Sequence, residues 1–185
     1  MYVRSWMSTP AVVLLADTPL LDALRFMEGR QVPQISVIGA EGLAGVVSRG
    51  DIHRVLGTGG PFETSRKTLG NIVVGPPMTV SPDLPIERVS EMMLLNHASS
   101  FPVVGEGRLL GMISSSDILR AFSYVMGACE GGARVYHSSS GTGDLLDEIR
   151  LRSRGLMIRS LVVCPSPGGK ELVMRVRGRT AASVA

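Results

Sequence analysis

Residues 43–54, LAGVVSRGDIHR, and residues 109–120, LLGMISSSDILR, are two versions of one segment. Each sets a Gly, two apolar residues, a Ser, two variable residues and an Asp in a row: Gly45-Val46-Val47-Ser48-Arg49-Gly50-Asp51 and Gly111-Met112-Ile113-Ser114-Ser115-Ser116-Asp117. Outward from them the likeness continues at an unbroken offset of 66. Residues 10–56 fall on 76–122 with twelve identities in 47 positions, among them Pro10/Pro76, Asp17/Asp83, Pro19/Pro85, Met27/Met93, Val37/Val103 and Gly39/Gly105. A gapless repeat of that length means two copies of one small fold.

Each copy reads strand, helix, strand, strand, helix, an α/β (α+β) pattern. A short extended segment, Val12 to Leu15 or Met78 to Val80, ends at a turn carrying Asp17 or Asp83. Pro19 or Pro85 then opens a helix, where a missing N–H costs little. Leu20, Ala23, Leu24 and Met27 recur at helical spacing. Ile35 to Ile38 and Phe101 to Val104 read as strands, and Leu43 to Val47 and Leu109 to Ile113 as the strands after them. The last helix is expected to begin at Asp51 or Asp117, each suited to cap it. The implied domains are 1–57 and 72–126 with 58–71 as linker, a smaller domain at 133–178, and a loose tail at 179–185. A copy of roughly 50–60 residues is near the lower limit for an independent core. The copies should therefore pack together with pseudo-twofold symmetry, creating two equivalent clefts.

Composition agrees with such a fold. The 185 residues are 44 % apolar but only 4 % aromatic, so the core must be aliphatic. The net charge of +3 is uneven: residues 1–129 hold ten Lys/Arg against eleven Asp/Glu, and residues 130–185 hold nine against five. Polyanion binding by the whole chain is not indicated. Cys129 and Cys164 stand in no CxxC or Cys/His cluster, so no metal is expected. There is no apolar leader and no stretch of about 18 apolar residues. The expectation is a cytoplasmic protein with no membrane partner.

The repeated motif sits where a strand hands over to a helix. An Asp carboxylate there can accept hydrogen bonds from two neighbouring hydroxyls, as a ribose diol presents them. The Ser hydroxyl and the open N–H groups of a helix start can donate to phosphate. The Gly is expected to let the chain turn into the strand. The same Ser and Asp are also what a plain helix cap requires, and a duplication preserves caps as faithfully as sites.

The repeat resembles the CBS domain, and the tandem resembles the paired form often called a Bateman module. The resemblance covers about 1–126. It implies a non-catalytic regulatory module that binds an adenine nucleotide or other adenosyl ligand: AMP, ADP, ATP, S-adenosylmethionine or a dinucleotide. It also implies a homodimer and a regulated protein partner. By that resemblance Asp117 and Asp51 hold ribose, and Ser114 and Ser48 approach phosphate. Thr79 supplies a polar residue in the first strand. Ala98, four residues before Pro102, lies beside adenine, and Val32 is its counterpart in the first copy. The first copy departs in having Val13 for Thr79 and Ser36 for Pro102, and it adds Arg49, which can reach a phosphate. These differences favour the Asp117 site over the Asp51 site.

Beyond Gly127 the pattern changes. Ala133 to His137, Met157 to Cys164 and Lys170 to Arg177 read as strands, and Asp144 to Arg154 as a helix. This β-α-β-β order resembles the first part of an ACT domain. A CBS pair followed by an ACT-like segment is the layout of acetoin-utilisation-protein-B-like proteins. Such a strand-rich segment suits dimerisation.

Three rival functions stay open beside this one. An enzyme would need a nucleophile such as Ser139, Ser140, Cys129 or Cys164. His53, His97 and His137 are widely spread and mark no base for it. A ligand-free dimerisation or interaction protein keeps the CBS fold alone. A nucleic-acid reader would rest on the basic run Arg150, Arg152, Arg154 and Arg159, for which a solvated face is the simpler account.

Overall fold

The computed structural model describes residues 1–58, 66–128, 133–139, 156–166 and 169–177. The chain divides into two compact units, Met1–Ile118 and Leu119–Ala185. The first holds both repeats up to the start of the second repeat's last helix. Repeat 1 runs β1 (Val13–Leu15), α1 (Leu20–Gly29), β2 (Gln34–Gly39), β3 (Gly42–Ser48) and α2 (Arg49–Thr58). Repeat 2 runs α3 (Ile86–Leu95), β4 (Ser100–Gly105), β5 (Arg108–Ser114) and α4 (Ser115–Val125). Both contain an antiparallel hairpin of identical register, Gln34 opposite Ser48 and Ser100 opposite Ser114.

The repeats differ at the strand before α1 and α3. In repeat 1, β1 pairs in parallel with β2. In repeat 2 only one parallel bridge forms, Val80 to Val103. A single substitution accounts for this. The Ser36 N–H bonds the Val12 carbonyl at 3.0 Å, whereas its counterpart Pro102 has no N–H to offer Met78. One rung is lost and the strand shrinks.

The core is aliphatic, as composition requires. Leu20, Ala23, Met27, Ile35, Val37, Val47 and Ile52 cluster in repeat 1. Ile86, Val89, Met93, Phe101, Val103 and Ile113 are the buried counterparts in repeat 2. Leu69 completes the first cluster, although it precedes repeat 2. The stretch read as linker therefore does structural work at its end. Leu69–Asn71 forms a 3-10 turn, held by the Thr68 N–H donating to Asn71 Oδ1 at 2.8 Å.

The turn has a twin at Val3–Ser5, and each packs on the other repeat. Leu69 N–H bonds the Thr18 carbonyl at 2.9 Å, and Val3 N–H bonds that of Leu84 at 3.0 Å. Gly70 N–H bonds Ala16 at 2.7 Å, and Arg4 N–H bonds Pro82 at 2.9 Å. Leu20 N–H bonds Lys67 at 3.1 Å, and Ile86 N–H bonds Met1 at 3.0 Å. Every residue in one bond lies 66 positions from its counterpart in the other. The pseudo-twofold relation is thus written into the backbone as a reciprocal exchange of leading segments.

This exchange corrects the reading of the motif glycines. Neither Gly45 nor Gly111 has the positive φ for which a turn would need glycine. They are needed because the exchanged segment passes directly over them. A Cβ on Gly111 would overlap the Ser8 carbonyl oxygen, and one on Gly45 would overlap the Val73 side chain. In repeat 2 the passing segment is also bonded. Ser8 N–H donates to the Met112 carbonyl at 2.8 Å, and Met112 N–H donates to that of Ser8 at 3.0 Å. No such bridge joins Val74 to Val46 among the described residues, and Val74 is 96 % exposed. There Gly75 takes φ +66 and turns the chain toward Pro76 and Pro77.

The second unit carries a sheet of β6 (Ala133–Ser139), β7 (Met157–Ser166) and β8 (Gly169–Arg177), in the order β6-β8-β7 with antiparallel ladders. The last strand lies between the first two. Val135, Leu172, Met174 and Val176 form its core, and Val173 between them is buried as well. The helix expected at Asp144 to Arg154 lies outside the described residues, as do most of the loop before it and the tail. Among the described residues no helix is long and apolar enough to cross a membrane, and no His/Cys/Asp/Glu cluster could hold a metal ion.

Two stability predictions follow from the exchange. Leu69→Ala removes a fully buried side chain and should cost about 2–5 kcal/mol in urea unfolding. Val74→Ala, at an exposed position in the same segment, should stay within about 0.5 kcal/mol of the parent. Equal effects would show that residues 67–73 are only a tether. Gly111→Ala must displace bonded backbone, and Gly45→Ala only a side chain. Gly111→Ala should therefore cost more, on the order of 1–3 kcal/mol.

Candidate functional site

The motif Ser and Asp first build a helix start. In repeat 1, Asp51 Oδ2 accepts from the Ser48 N–H at 3.0 Å and from the Ser48 hydroxyl at 2.6 Å, while the Asp51 N–H donates back to Ser48 Oγ at 3.1 Å. In repeat 2, Asp117 Oδ2 accepts from the Ser114 N–H at 2.8 Å and the Ser114 hydroxyl at 2.7 Å. The helices accordingly begin at Arg49 and Ser115. The cap is therefore Ser48 or Ser114, and the Asp is the third helical residue. The expectation that the Asp itself caps the helix is corrected. A Ser followed three residues later by an acid satisfies two backbone donors reciprocally, as a capping box does.

The two carboxylates differ in setting. Asp117 is 3 % exposed, whereas the Asp51 side chain is 40 % exposed and takes a further bond from Arg54 Nη2 at 3.1 Å. Burial alone would raise the Asp51 pKa. The Ser48 hydroxyl and N–H, joined by Arg54, outweigh it and hold that pKa below the ordinary carboxylate value.

Asp117 faces a cleft of about 120 Å³ between the repeats. Ser114 and Met112 line it from repeat 2, and Val12, Val32 and Gln34 from repeat 1. Ser8 of the exchanged segment forms another part of the wall. Gln34 and its offset counterpart Ser100 meet there: Gln34 Nε2 donates to Ser99 Oγ at 2.8 Å, and the Ser100 hydroxyl donates to Gln34 Oε1. Counterparts touch only where a pseudo-twofold axis passes. Behind the wall the buried Ser36 hydroxyl donates to Met112 Sδ at 3.2 Å.

Asp51 faces a second cleft of about 270 Å³, lined by Val46, Arg54, Val74 and Pro77 among others. Val46, Val74, Pro77 and Asp51 are the offset counterparts of Met112, Ser8, Ala11 and Asp117. The clefts are related but unequal, because the segment that closes over Met112 turns away from Val46.

The structure therefore groups the expected site residues differently from their order in sequence. Val32 joins Asp117 and Ser114, although it belongs to the other copy. Thr79 does not line the Asp117 cleft. It lines a separate cavity of about 330 Å³ with Ile38, Leu43, Val104 and Leu109. Ala98 lies in neither cleft. Ser48 and Arg49 line neither, and the Arg49 N–H bonds the Pro33 carbonyl at 3.0 Å. Ser8, Gln34, Ser100 and Met112 are cleft residues that sequence reasoning missed. The 66-residue offset could have found the Gln34/Ser100 pair. Nothing local marks Ser8, which precedes the recognisable repeat.

The CBS domain family model matches residues 3–58 and 69–124. These segments are again 66 apart and take in both exchanged turns. An A-adding tRNA nucleotidyltransferase from Geobacter sulfurreducens is 29 % identical over 119 residues, covering 62 % of this chain. The chain spans only 12 % of that relative's length. Among solved structures, a putative acetoin utilization protein (AcuB) from Vibrio cholerae superposes with a TM-score of 0.62 at 21 % identity, over 71 % of this chain and 98 % of that one. The CBS domain pair of protein MJ0100, in complex with 5′-methylthioadenosine and S-adenosyl-L-methionine, gives 0.59 at 23 %, over 66 % and 96 %. CBSX2 in complex with AMP gives 0.55 at 24 %, over 65 % and 95 %. These likenesses establish a shared fold. With both repeats matched in register and packed by a reciprocal exchange, the chain belongs to the CBS domain family, as a tandem pair.

Proposed function

We propose that this chain is a regulatory, non-catalytic module that binds an adenosyl ligand in the Asp117 cleft and signals its occupancy to a protein partner. The composition of that cleft carries the reading. It sets a nearly buried carboxylate beside serine hydroxyls and an amide, with apolar walls from Val12, Val32 and Met112 suited to a flat base. Related CBS pairs hold AMP in one case, and 5′-methylthioadenosine with S-adenosylmethionine in another. Both support the ligand class. Asp117, Ser114 and Val32 are the proposed contacts, joined by Ser8, Gln34 and Ser100. Asp51 marks a second, more open site.

One observation favours a ligand-free dimerisation or interaction protein instead. The Ser-x-x-Asp motif acts as a helix start in both copies without any ligand. On either reading the chain is a homodimer. Leu119 and Phe122 stand exposed one turn apart on α4, and β6 and β7 are the outer strands of the C-terminal sheet among the described residues.

Binding separates the two readings. An adenosyl ligand at 100 times its dissociation constant should stabilise the chain by about 2.7 kcal/mol in a thermal-shift assay. Asp117→Asn should keep the helix start yet weaken that ligand at least about tenfold. Val32→Phe should abolish binding by filling the cleft, and Ala98→Phe should leave binding at Asp117 intact. Loss with Ala98→Phe but not with Val32→Phe would place the ligand elsewhere. No stabilisation by any adenosyl compound would leave the ligand-free reading. Light scattering at micromolar concentration should show a dimer that Phe122→Asp weakens; a monomeric parent would remove the dimer.

A further inference from the structure

We infer that the chain carries a binding site apart from both motif clefts, an apolar cavity on the pseudo-twofold axis that takes one small, uncharged, ring-bearing molecule. The cavity holds about 330 Å³. Ile38 and Val104 line it, as do Leu43 and Leu109, and the members of each pair lie 66 positions apart. Counterparts meet only on the axis. Gln34 and Ser100 mark that axis four residues back along β2 and β4, about 13 Å away by strand rise.

The hairpins are shaped for this meeting. Each has a register shift at the same place, after Val37 and after Val103. Val37 faces Gly45 and Ile38 faces Leu43, so Ala44 is an extra residue, and Leu110 is its counterpart. Side chains alternate along a strand, so the extra residue moves Leu43 and Leu109 onto the face of Ile38 and Val104. All four aliphatic side chains are only half-buried. Pro76 and Pro77 add a stiff wall, carried there by the turn at Gly75. Their counterparts Pro10 and Ala11 line the Asp117 cleft instead.

Volume, charge and polarity define the occupant. Ligand pockets start at about 300 Å³. An apolar cavity of roughly 150 Å³ admits benzene, so about twice that volume suits a bicyclic ring. Among the described residues lining the cavity none is charged, and Glu41, Glu106 and Arg108 of the hairpin turns are exposed outside the lining. An ionised guest would lose hydration there without gaining a partner. Thr79, at the exposed rim, offers the one side-chain hydroxyl in the lining, enough for a single polar group. The cavity shares no lining residue with the Asp117 cleft, and the inference does not depend on the adenosyl reading.

The test is calorimetry on the full chain with 2-naphthol, a bicyclic ring carrying one hydroxyl, and with 2-naphthalenesulfonate, the same ring carrying a charge. 2-Naphthol should saturate one site and bind at least about tenfold more tightly than the sulfonate. Thr79→Trp, a change at an exposed position, should block the mouth and weaken 2-naphthol at least about tenfold, while Val32→Phe should leave it unchanged. In the parent chain, 2-naphthol should shift the methyl resonances of Ile38, Leu43, Val104 and Leu109, a readout that needs no variant. Binding lost in Val32→Phe but kept in Thr79→Trp, or saturation without shifts at those methyls, overturns the inference. So does a sulfonate that binds as tightly as 2-naphthol, or no binding of 2-naphthol at all. A dimer that Thr79→Trp dissociates in light scattering would assign the cavity to a second copy and overturn it as well.

Discussion

Each repeat borrows part of its core from the segment that precedes the other. A copy of roughly 50–60 residues buries too little apolar surface to be secure alone. Leu69 supplies repeat 1 with a fully buried side chain, and Val3 does the same for repeat 2. Paired backbone bonds fix each segment at its place. Neither repeat is complete until the other has been positioned, so two marginal units become one. The exchange also dictates where main chain crosses the hairpins, and there only glycine leaves room. The invariant look of Gly45 and Gly111 is a consequence of this crossing.

Once the exchange is in place, small departures from symmetry make the clefts unlike. Pro102 removes a donor and shortens one strand, while Ser36 keeps the matching bond and sends its hydroxyl to Met112. The segment at Ser8 is laced to Met112, but its counterpart at Val74 swings outward at Gly75. One cleft is consequently small and walled by the exchanged segment, the other larger and rimmed by Arg54. Duplication made two clefts, and a handful of residues gave them different linings.

The motif Ser and Asp illustrate how one set of atoms limits what a site can do. Their mutual bonds hold each helix start, a contribution typically worth about 0.5–2 kcal/mol. Beyond those bonds, the Asp117 cleft is defined by its shape and by the apolar walls of Val12, Val32 and Met112.

Much of the fold was legible in the chain itself. The offset of 66 specified two copies, and periodicity within each copy located helices, strands and the core positions Leu20, Ala23 and Met27. These are local or repetitive properties, carried by residues near one another in sequence. The make-up of the site was not legible, because it depends on contacts between distant segments. Sequence proximity groups Asp117 with Thr79 and Ala98. Packing about a pseudo-twofold axis lays the strand of the other copy across it and brings Val32, Gln34 and Ser8 instead. The role of Gly111 as a crossing point, and of Ser114 rather than Asp117 as the helix cap, emerged the same way. Only the assembled backbone determines which carbonyl passes over a glycine, and which hydroxyl a given N–H can reach.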